Sequence, residues 1–169
     1  PNWSPKGDKL AAVLSREGNP DIFLYDLTRN SWRQITEHFG IDTEPDWSPN
    51  GRSLLFTSNR SGSPQIYQVS IRTKRVKRLT FEGTYNARAR YSPDGKSIVF
   101  NSDRGGTQQL YAMDADGGNV RRISYGDGRY ATPVWSPRGD IIAFTKMANG
   151  RFYIGVMNVD GSGERLLAD

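Results

Sequence analysis

The 169-residue chain contains no cysteine and a single histidine, His38. The first absence excludes a disulfide framework and any zinc site built on cysteine. The second leaves His-dependent catalysis and multi-His metal sites almost no material. No apolar run approaches the roughly 18 residues that a membrane-spanning helix needs. No secretory leader is visible, and the chain opens on Pro1-Asn2-Trp3 without Met, so it reads as a piece of a longer protein. Catalytic signatures are missing as well. There is no Gly-x-Ser-x-Gly elbow, no phosphate-binding loop and no cluster of metal ligands. Nor does any window carry a sustained 3.6-residue apolar period, so helix should be nearly absent.

What is present is a repeat. Trp3-Ser4-Pro5-Lys6-Gly7, Trp47-Ser48-Pro49-Asn50-Gly51, Tyr91-Ser92-Pro93-Asp94-Gly95 and Trp135-Ser136-Pro137-Arg138-Gly139 follow one another at a constant spacing of 44 residues. Each reads as a strand end followed by a turn. The aromatic closes the strand, Ser bonds its own backbone, Pro presets φ and Gly supplies φ > 0. Four identical turns in identical settings are punctuation; a catalytic serine does not come in quadruplicate.

Folded on its period, the chain aligns without a gap. An apolar run follows each turn (Leu54-Leu55-Phe56, Ile98-Val99-Phe100), then a polar turn ending in Gly18, Gly62, Gly106 or Gly150. A second apolar segment (Ile66-Tyr67-Gln68-Val69, Leu110-Tyr111-Ala112-Met113) leads to a hairpin signal, most explicit as Asp116-Gly117 and Asp160-Gly161. Asp-Gly favours tight two-residue turns. The repeated Asp26, Asp114 and Asn158 before it are expected to bond turn backbone. A basic segment closes each unit. The runs are short, rich in β-branched and aromatic residues and bounded by Gly, Pro, Asn and Asp, which makes four strands per unit, A to D. Four antiparallel strands in about 40 residues is the blade of a β-propeller. The fold expected is therefore all-β, a propeller segment over residues 1–169 with repeats 1–44, 45–88, 89–132 and 133–169. Four blades suffice for a closed ring and equally make an arc of a larger one. Nothing resembles a split closing blade.

Strand B, the most apolar, should lie mid-blade. Strand A, with Pro45 and Pro133, fits an inner edge along the central channel, because an edge position loses no ladder donor. Strand D carries Arg33, Lys77, Arg78, Arg121, Arg122 and Arg165, charges that protect an outer edge from pairing with other chains. The net charge of +5 raises nucleic acid as a partner. A nucleic-acid groove would also interleave aromatics on one exposed face, and here the aromatics fall in core phase.

The connectors from D to the next A are the longest and most variable loops, and variable loops on a rigid repeated scaffold are where binding lies. They are expected to expose Phe39, Phe81, Tyr85, Tyr125 and Tyr130. The alternative is that these aromatics pack over the channel end. His38 is a candidate contact residue or simply a solvated loop histidine. Asp114-Ala115-Asp116-Gly117-Gly118-Asn119 has the look of a calcium loop, but the spacing is wrong and the terminal Glu is missing.

The repeat, with its aromatic-Ser-Pro-x-Gly turn, apolar B strand and Ile/Leu-Tyr in C, resembles the TolB-type propeller repeat, which also builds the propellers of prolyl-oligopeptidase-like and tricorn-like peptidases. The longer strings Thr43-Glu44-Pro45-Asp46-Trp47-Ser48-Pro49, Phe56-Thr57-Ser58-Asn59-Arg60, Arg78-Leu79-Thr80-Phe81-Glu82-Gly83 and Arg129-Tyr130-Ala131-Thr132-Pro133-Val134-Trp135 are similar to TolB-like proteins, and the similarity covers all 169 residues. It implies an arc of a six-bladed propeller that follows an α/β domain. It further implies a non-catalytic periplasmic adaptor for cell-envelope integrity, docking a Pal-like peptidoglycan-associated lipoprotein, with colicin-type ligands using the same surface. By the same resemblance the partner-binding positions are His38, Phe39, Asp42, Thr43, Glu44, Tyr85, Asn86, Ala87, Arg88, Arg129, Tyr130, Ala131 and Thr132. No cofactor is implied, with a calcium ion in the channel as the one exception left open. The third unit departs from its siblings by reading Arg88-Ala89-Arg90, two Arg at the channel mouth where the others carry a Pro. Against the adaptor stand two alternatives: the substrate-gating propeller of a peptidase, and a propeller that binds carbohydrate or another small ligand. Neither nucleic acid nor membrane insertion is expected. Blade faces left uncovered at the two ends of an open arc would favour self-association.

Overall fold

The computed structural model describes residues 1–16 and 18–168. They form four four-stranded antiparallel sheets, each with its strands in chain order. The first contains β1 (Asn2–Trp3), β2 (Lys9–Ser15), β3 (Pro20–Asp26) and β4 (Ser31–Gln34). The second contains β5 (Asp42–Trp47), β6 (Ser53–Ser58), β7 (Gln65–Ser70) and β8 (Val76–Arg78). The third contains β9 (Asn86–Tyr91), β10 (Ser97–Ser102), β11 (Gln109–Asp114) and β12 (Arg121–Arg122). The fourth contains β13 (Arg129–Trp135), β14 (Ile141–Ala148), β15 (Arg151–Asn158) and β16 (Arg165–Ala168). Neighbouring blades touch, while among the described residues no strand of the first sheet touches one of the fourth. The propeller is an open arc.

The repeated turn does what its residues dictate. Ser4, Ser48, Ser92 and Ser136 each accept, at the backbone carbonyl, the amide of the Gly three residues on, at 2.8–2.9 Å. Those glycines have φ between +69° and +75°. The Ser hydroxyl oxygen accepts the amide of the residue five positions on, as in Ser53 N–H to Ser48 Oγ at 3.0 Å, so the motif also fixes where the next strand begins. The aromatic has a second task, reaching the inner strand of the preceding blade: Trp47 Nε1 donates to Asn2 O and Trp135 Nε1 to Arg90 O, both at 3.1 Å.

The Asp-Gly hairpins differ from expectation. Gly117 N–H donates to Asp114 O while Asp114 N–H donates to Gly118 O, enclosing three residues with Gly117 at φ +95°. Gly161 repeats the arrangement on Asn158. The Asp thus sits ahead of one left-handed Gly, and the second left-handed residue, Asn119 or Gly163, comes two positions later, so the pair is not adjacent as in a two-residue turn. A two-residue turn does occur, at Asn149-Gly150 between β14 and β15, with φ +52° and +73°. Of the three residues expected to bond turn backbone, Asp26 does so through Thr28 N and Arg29 N. Asp114 and Asn158 bond the side chains of Asn119 and Ser162 instead.

Each blade has two apolar faces, and the core lies between blades. One face of the first sheet (Ala11, Ile22, Leu24, Ile35) packs on the opposite face of the second (Leu54, Phe56, Tyr67, Val69), and the same positions meet at the next two joints. The position that is Ile22, Ile66 and Leu110 is fully buried, whereas its fourth copy, Ile154, is 55% exposed. Ile35, Leu79 and Ile123 are buried and Leu167 is 59% exposed. At the other end Trp3 is 57% exposed where Trp47 is 7%.

The first joint contains a polar mismatch. At the second, Gln65 Oε1 accepts from Asn86 Nδ2 at 2.9 Å. The equivalent residues at the first joint are Asp21 and Asp42, two carboxyl groups with no N–H between them. Asp42 is fully buried; its Oδ2 accepts from Arg60 Nη2 at 2.7 Å, and its Oδ1 has no hydrogen-bond partner among the described residues. Burial, and then the charge of Asp42, push the Asp21 carboxyl above its ordinary range.

Two outcomes follow. Leu110→Ala should cost about 2–5 kcal/mol, as truncation of a buried Leu does, whereas Ile154→Ala should cost less than about 1 kcal/mol. Urea midpoints at low protein concentration measure both, and equal shifts would contradict the burial asymmetry. For Asp21, a raised folded-state pKa means that the folded chain holds more protons than the unfolded one, so its contribution is present at low pH and is lost as pH rises from the ordinary Asp value of about 3.9 through the raised one. Asp21→Gln, which copies Gln65, should remove that decline. Parallel stability-against-pH curves for the two proteins would refute it.

Candidate functional site

The D-to-A connectors and the B-to-C turns share one rim. The connectors prove shorter than the sequence suggests, because strand A begins at Asp42, Asn86 and Arg129, inside the seven-residue stretches preceding the Trp-Ser-Pro turns. Five of the thirteen candidate residues, Asp42, Asn86, Ala87, Tyr130 and Ala131, are consequently buried. The expectation of an exposed Tyr130 is corrected: its ring is 0% exposed and lies 5.2 Å from Phe144. Asp42, Asn86 and Tyr130 occupy one repeat position, and each pins the start of an inner strand. Asn86 donates to Glu82 O at 2.8 Å, and the Tyr130 hydroxyl donates to Glu164 at 2.8 Å. Burial raises the pKa of that hydroxyl.

The accessible rim consists of Phe39, Phe81 and Tyr125, which are 84%, 71% and 70% exposed, together with exposed Arg129 and half-buried His38, Thr43 and Tyr85. His38 holds its own loop: Nδ1 accepts from Gly40 N at 3.0 Å, and the ring lies 4.1 Å from Phe39. In the second connector Asp103 Oδ1 accepts the amides of Thr84 and Tyr85 at 2.9 Å each, and in the third Gly128 O accepts from buried Gln109 Nε2 at 3.1 Å. Phe81 and Tyr125 have guanidinium groups over their rings, Arg78 at 4.9 Å and Arg122 at 5.2 Å. The aromatics are thus displayed on fixed loops.

Glu44, Arg88 and Thr132, one repeat position, form a second row. Each lies at a register shift in its inner strand and has φ of +58°, +57° and +51° respectively. Left-handed backbone in a residue other than glycine is uncommon and is concentrated at functional sites. No residue type announces it, since Glu, Arg and Thr share no such preference; a following Pro (Pro45, Pro133) marks two of the three. Glu44 Oε2 accepts from Arg88 N at 2.9 Å and Thr57 Oγ1 at 2.8 Å, and Arg88 Nε lies 3.3 Å from Glu44 Oε1. Two residues further along the same strands, Asp46 faces Arg90 at 3.9 Å and accepts the amide of Tyr91 at 2.9 Å. Burial leads in raising the Asp46 pKa, against the pull of that amide and of Arg90. The two arginines that set the third unit apart therefore answer carboxylates 44 residues earlier and add no unpaired charge to the channel mouth. Among the described residues no group of three or more His, Cys, Asp and Glu is placed to hold a metal ion.

Known proteins resemble this architecture. The sequence profile of the TolB beta propeller domain matches residues 1–98 and 86–169. TolB from Acinetobacter baumannii superposes with a TM-score of 0.90 at 35% identity, covering 99% of this chain and 42% of that one. A putative TolB from Agrobacterium tumefaciens gives 0.88 at 30% identity, covering 97% and 62%. The chain thus spans less than two thirds of the length of either. A puromycin-hydrolyzing peptidase of Mycobacterium tuberculosis reaches 0.76 at 15% identity, covering 98% and 27%, a likeness of fold alone. With the profile spanning the whole chain and two TolB structures matching nearly all of it, the chain belongs to the TolB β-propeller family.

Proposed function

We propose that this propeller is the protein-docking part of a periplasmic adaptor that acts without chemistry, binding a Pal-like peptidoglycan-associated lipoprotein through the connector rim. The observation that carries this is the display of Phe39, Phe81 and Tyr125 on loops locked by buried anchors, since exposed aromatics on a rigid support are the usual anchors of protein interfaces. Family membership supports the adaptor role and the periplasmic location. The left-handed row at Glu44, Arg88 and Thr132 lies beside the rim, and the pairing of Glu44 with Arg88 ties two neighbouring inner strands together there. No described helix is long and apolar enough to cross a membrane. Uncovered faces around Ile154, Leu167 and Trp3 support self-association of the isolated 169-residue chain. The peptidase reading has only a likeness of fold behind it.

Titration calorimetry tests the reading, with the complete propeller against the periplasmic domain of a Pal-like lipoprotein from the same organism. Saturable binding is expected, weakened at least about 10-fold by Phe39→Ala or Tyr125→Ala, the scale of an interface hot spot. Absence of binding, or equal affinity in both variants, rejects the rim as the docking surface.

A further inference from the structure

The fourth blade breaks the repeat at four linked positions. In the first three blades Arg16, Arg60 and Arg104 occupy one place after strand B, and the fourth blade has Ala148. Arg60 lies over the rings of Phe56 and Tyr67, 5.1 Å from each, and Arg104 over Phe100 and Tyr111 at 5.6 and 5.0 Å. Their guanidinium groups reach back to the buried start of the inner strand, at Asp42 and Asn86. In the fourth blade the tyrosine of Tyr67 and Tyr111 becomes Gly155, where a Cβ would meet Phe144 Cζ at 2.5 Å. The buried Asp or Asn becomes Tyr130, packed on Phe144, and Ser58 and Ser102 become Lys146. Lys146 Nζ sits 4.9 Å from the Tyr130 ring and 2.8 Å from Glu164 Oε1, so its charge is answered internally.

This rewiring keeps the interior filled but leaves the rim open where the arginine would lie. The crevices lined by Arg60 and Arg104 measure about 210 and 300 Å³; a cavity of about 710 Å³ opens beside Ala148. Arg122 and Arg129 line it together with Asp127 and Arg151, and Tyr125 and Phe152 flank it at 70% and 67% exposure. Guanidinium matches carboxylate in a bidentate fork, and flanking rings supply apolar area next to it.

We propose that this cavity receives an acidic peptide segment of a protein partner, a carboxylate side chain seated among the arginines and an adjacent apolar residue on Tyr125 and Phe152. The proposal rests on the rim-docking reading and names the pocket and the chemistry within it. Ala148 lines the cavity at the repeat position that Arg60 and Arg104 fill in their own blades, so an arginine restored there is expected to occlude it.

The test is fluorescence anisotropy on the complete propeller with a labelled hexapeptide of alternating Glu and Leu, and with its Lys-for-Glu counterpart. Saturable binding of the acidic peptide alone is expected, weakening as salt is raised. Ala148→Arg, which copies Arg60, and Arg129→Glu should each reduce it at least 10-fold, and Lys6→Glu on the opposite rim should leave it unchanged. Melting curves matching the parent establish that the variants are folded. Equal binding of both peptides, or acidic binding indifferent to both pocket variants, overturns the proposal. If the acidic peptide binds in this pattern while the Pal-like domain fails in calorimetry, the pocket stands and the named partner falls. If the lipoprotein domain binds and the peptide does not, the pocket falls and rim docking stands.

Discussion

A four-stranded sheet with apolar side chains on both faces has no stable state by itself, and burial of each face by the neighbouring blade is what the rest of this structure depends on. Apolar surface gains roughly 25 cal/mol per Å² on leaving water, so a joint formed by Ile66, Leu79, Phe100 and Met113 outweighs any single hydrogen bond in the blade. Stability in such an array is a sum of blades and joints rather than of one central core. The inner strands, the rim and the channel row are all held in place by these joints. The same residue type at the same repeat position is core in one copy and surface in another, as Leu110 and Ile154 show.

The polar groups at the joints face a stricter demand, because a buried donor or acceptor needs a complement on its own blade or on the next. Three joints solve it in three ways. Gln65 and Asn86 share an amide hydrogen bond. At the third, Gln109 donates to Gly128 O across the joint, while Tyr130 turns to Glu164 and Lys146 within its own blade. Asp21 and Asp42 meet as two acids, with Arg60 on one side. The inner strands repeat the pattern at lower stakes, with Glu44 set against Arg88 and Asp46 against Arg90. Charge reversal at a single repeat position thus becomes an attraction between neighbours.

Much of this was legible in the sequence and some was not, for identifiable reasons. Period, strand count, edge placement of Pro45 and Pro133 and basic outer strands are carried by residue types with strong local preferences, and all but the proline, replaced by Ala89 in the third unit, recur in every copy. The start of strand A is hidden because Asp42, Asn86 and Tyr130 have nothing in common but their burial. Tyr130 reads as an exposed loop aromatic until Gly155, 25 residues later, is seen to vacate room for Phe144, the ring on which Tyr130 packs. The left-handed row is invisible because the joints impose that backbone and the residues themselves do not. The pairing of Arg88 and Arg90 with acids one period earlier lies on the page for a reader who compares copies column by column, and not for one who scans along the chain.

The Trp-Ser-Pro-x-Gly turns also touch one another. A Cβ placed on Gly95 would lie 3.4 Å from Pro49 Cδ, and one on Gly139 would lie 3.4 Å from Pro93 Cδ, so each glycine backs onto the proline of the turn before it. The fan of blades is riveted on that side, where every contact is small and alike. On the opposite side the spokes end in loops of differing shape. A sequence change among those loops can tilt or spread the blades at their tips without altering the pitch of the fan, and that mechanical asymmetry lets one side diversify while the other keeps count.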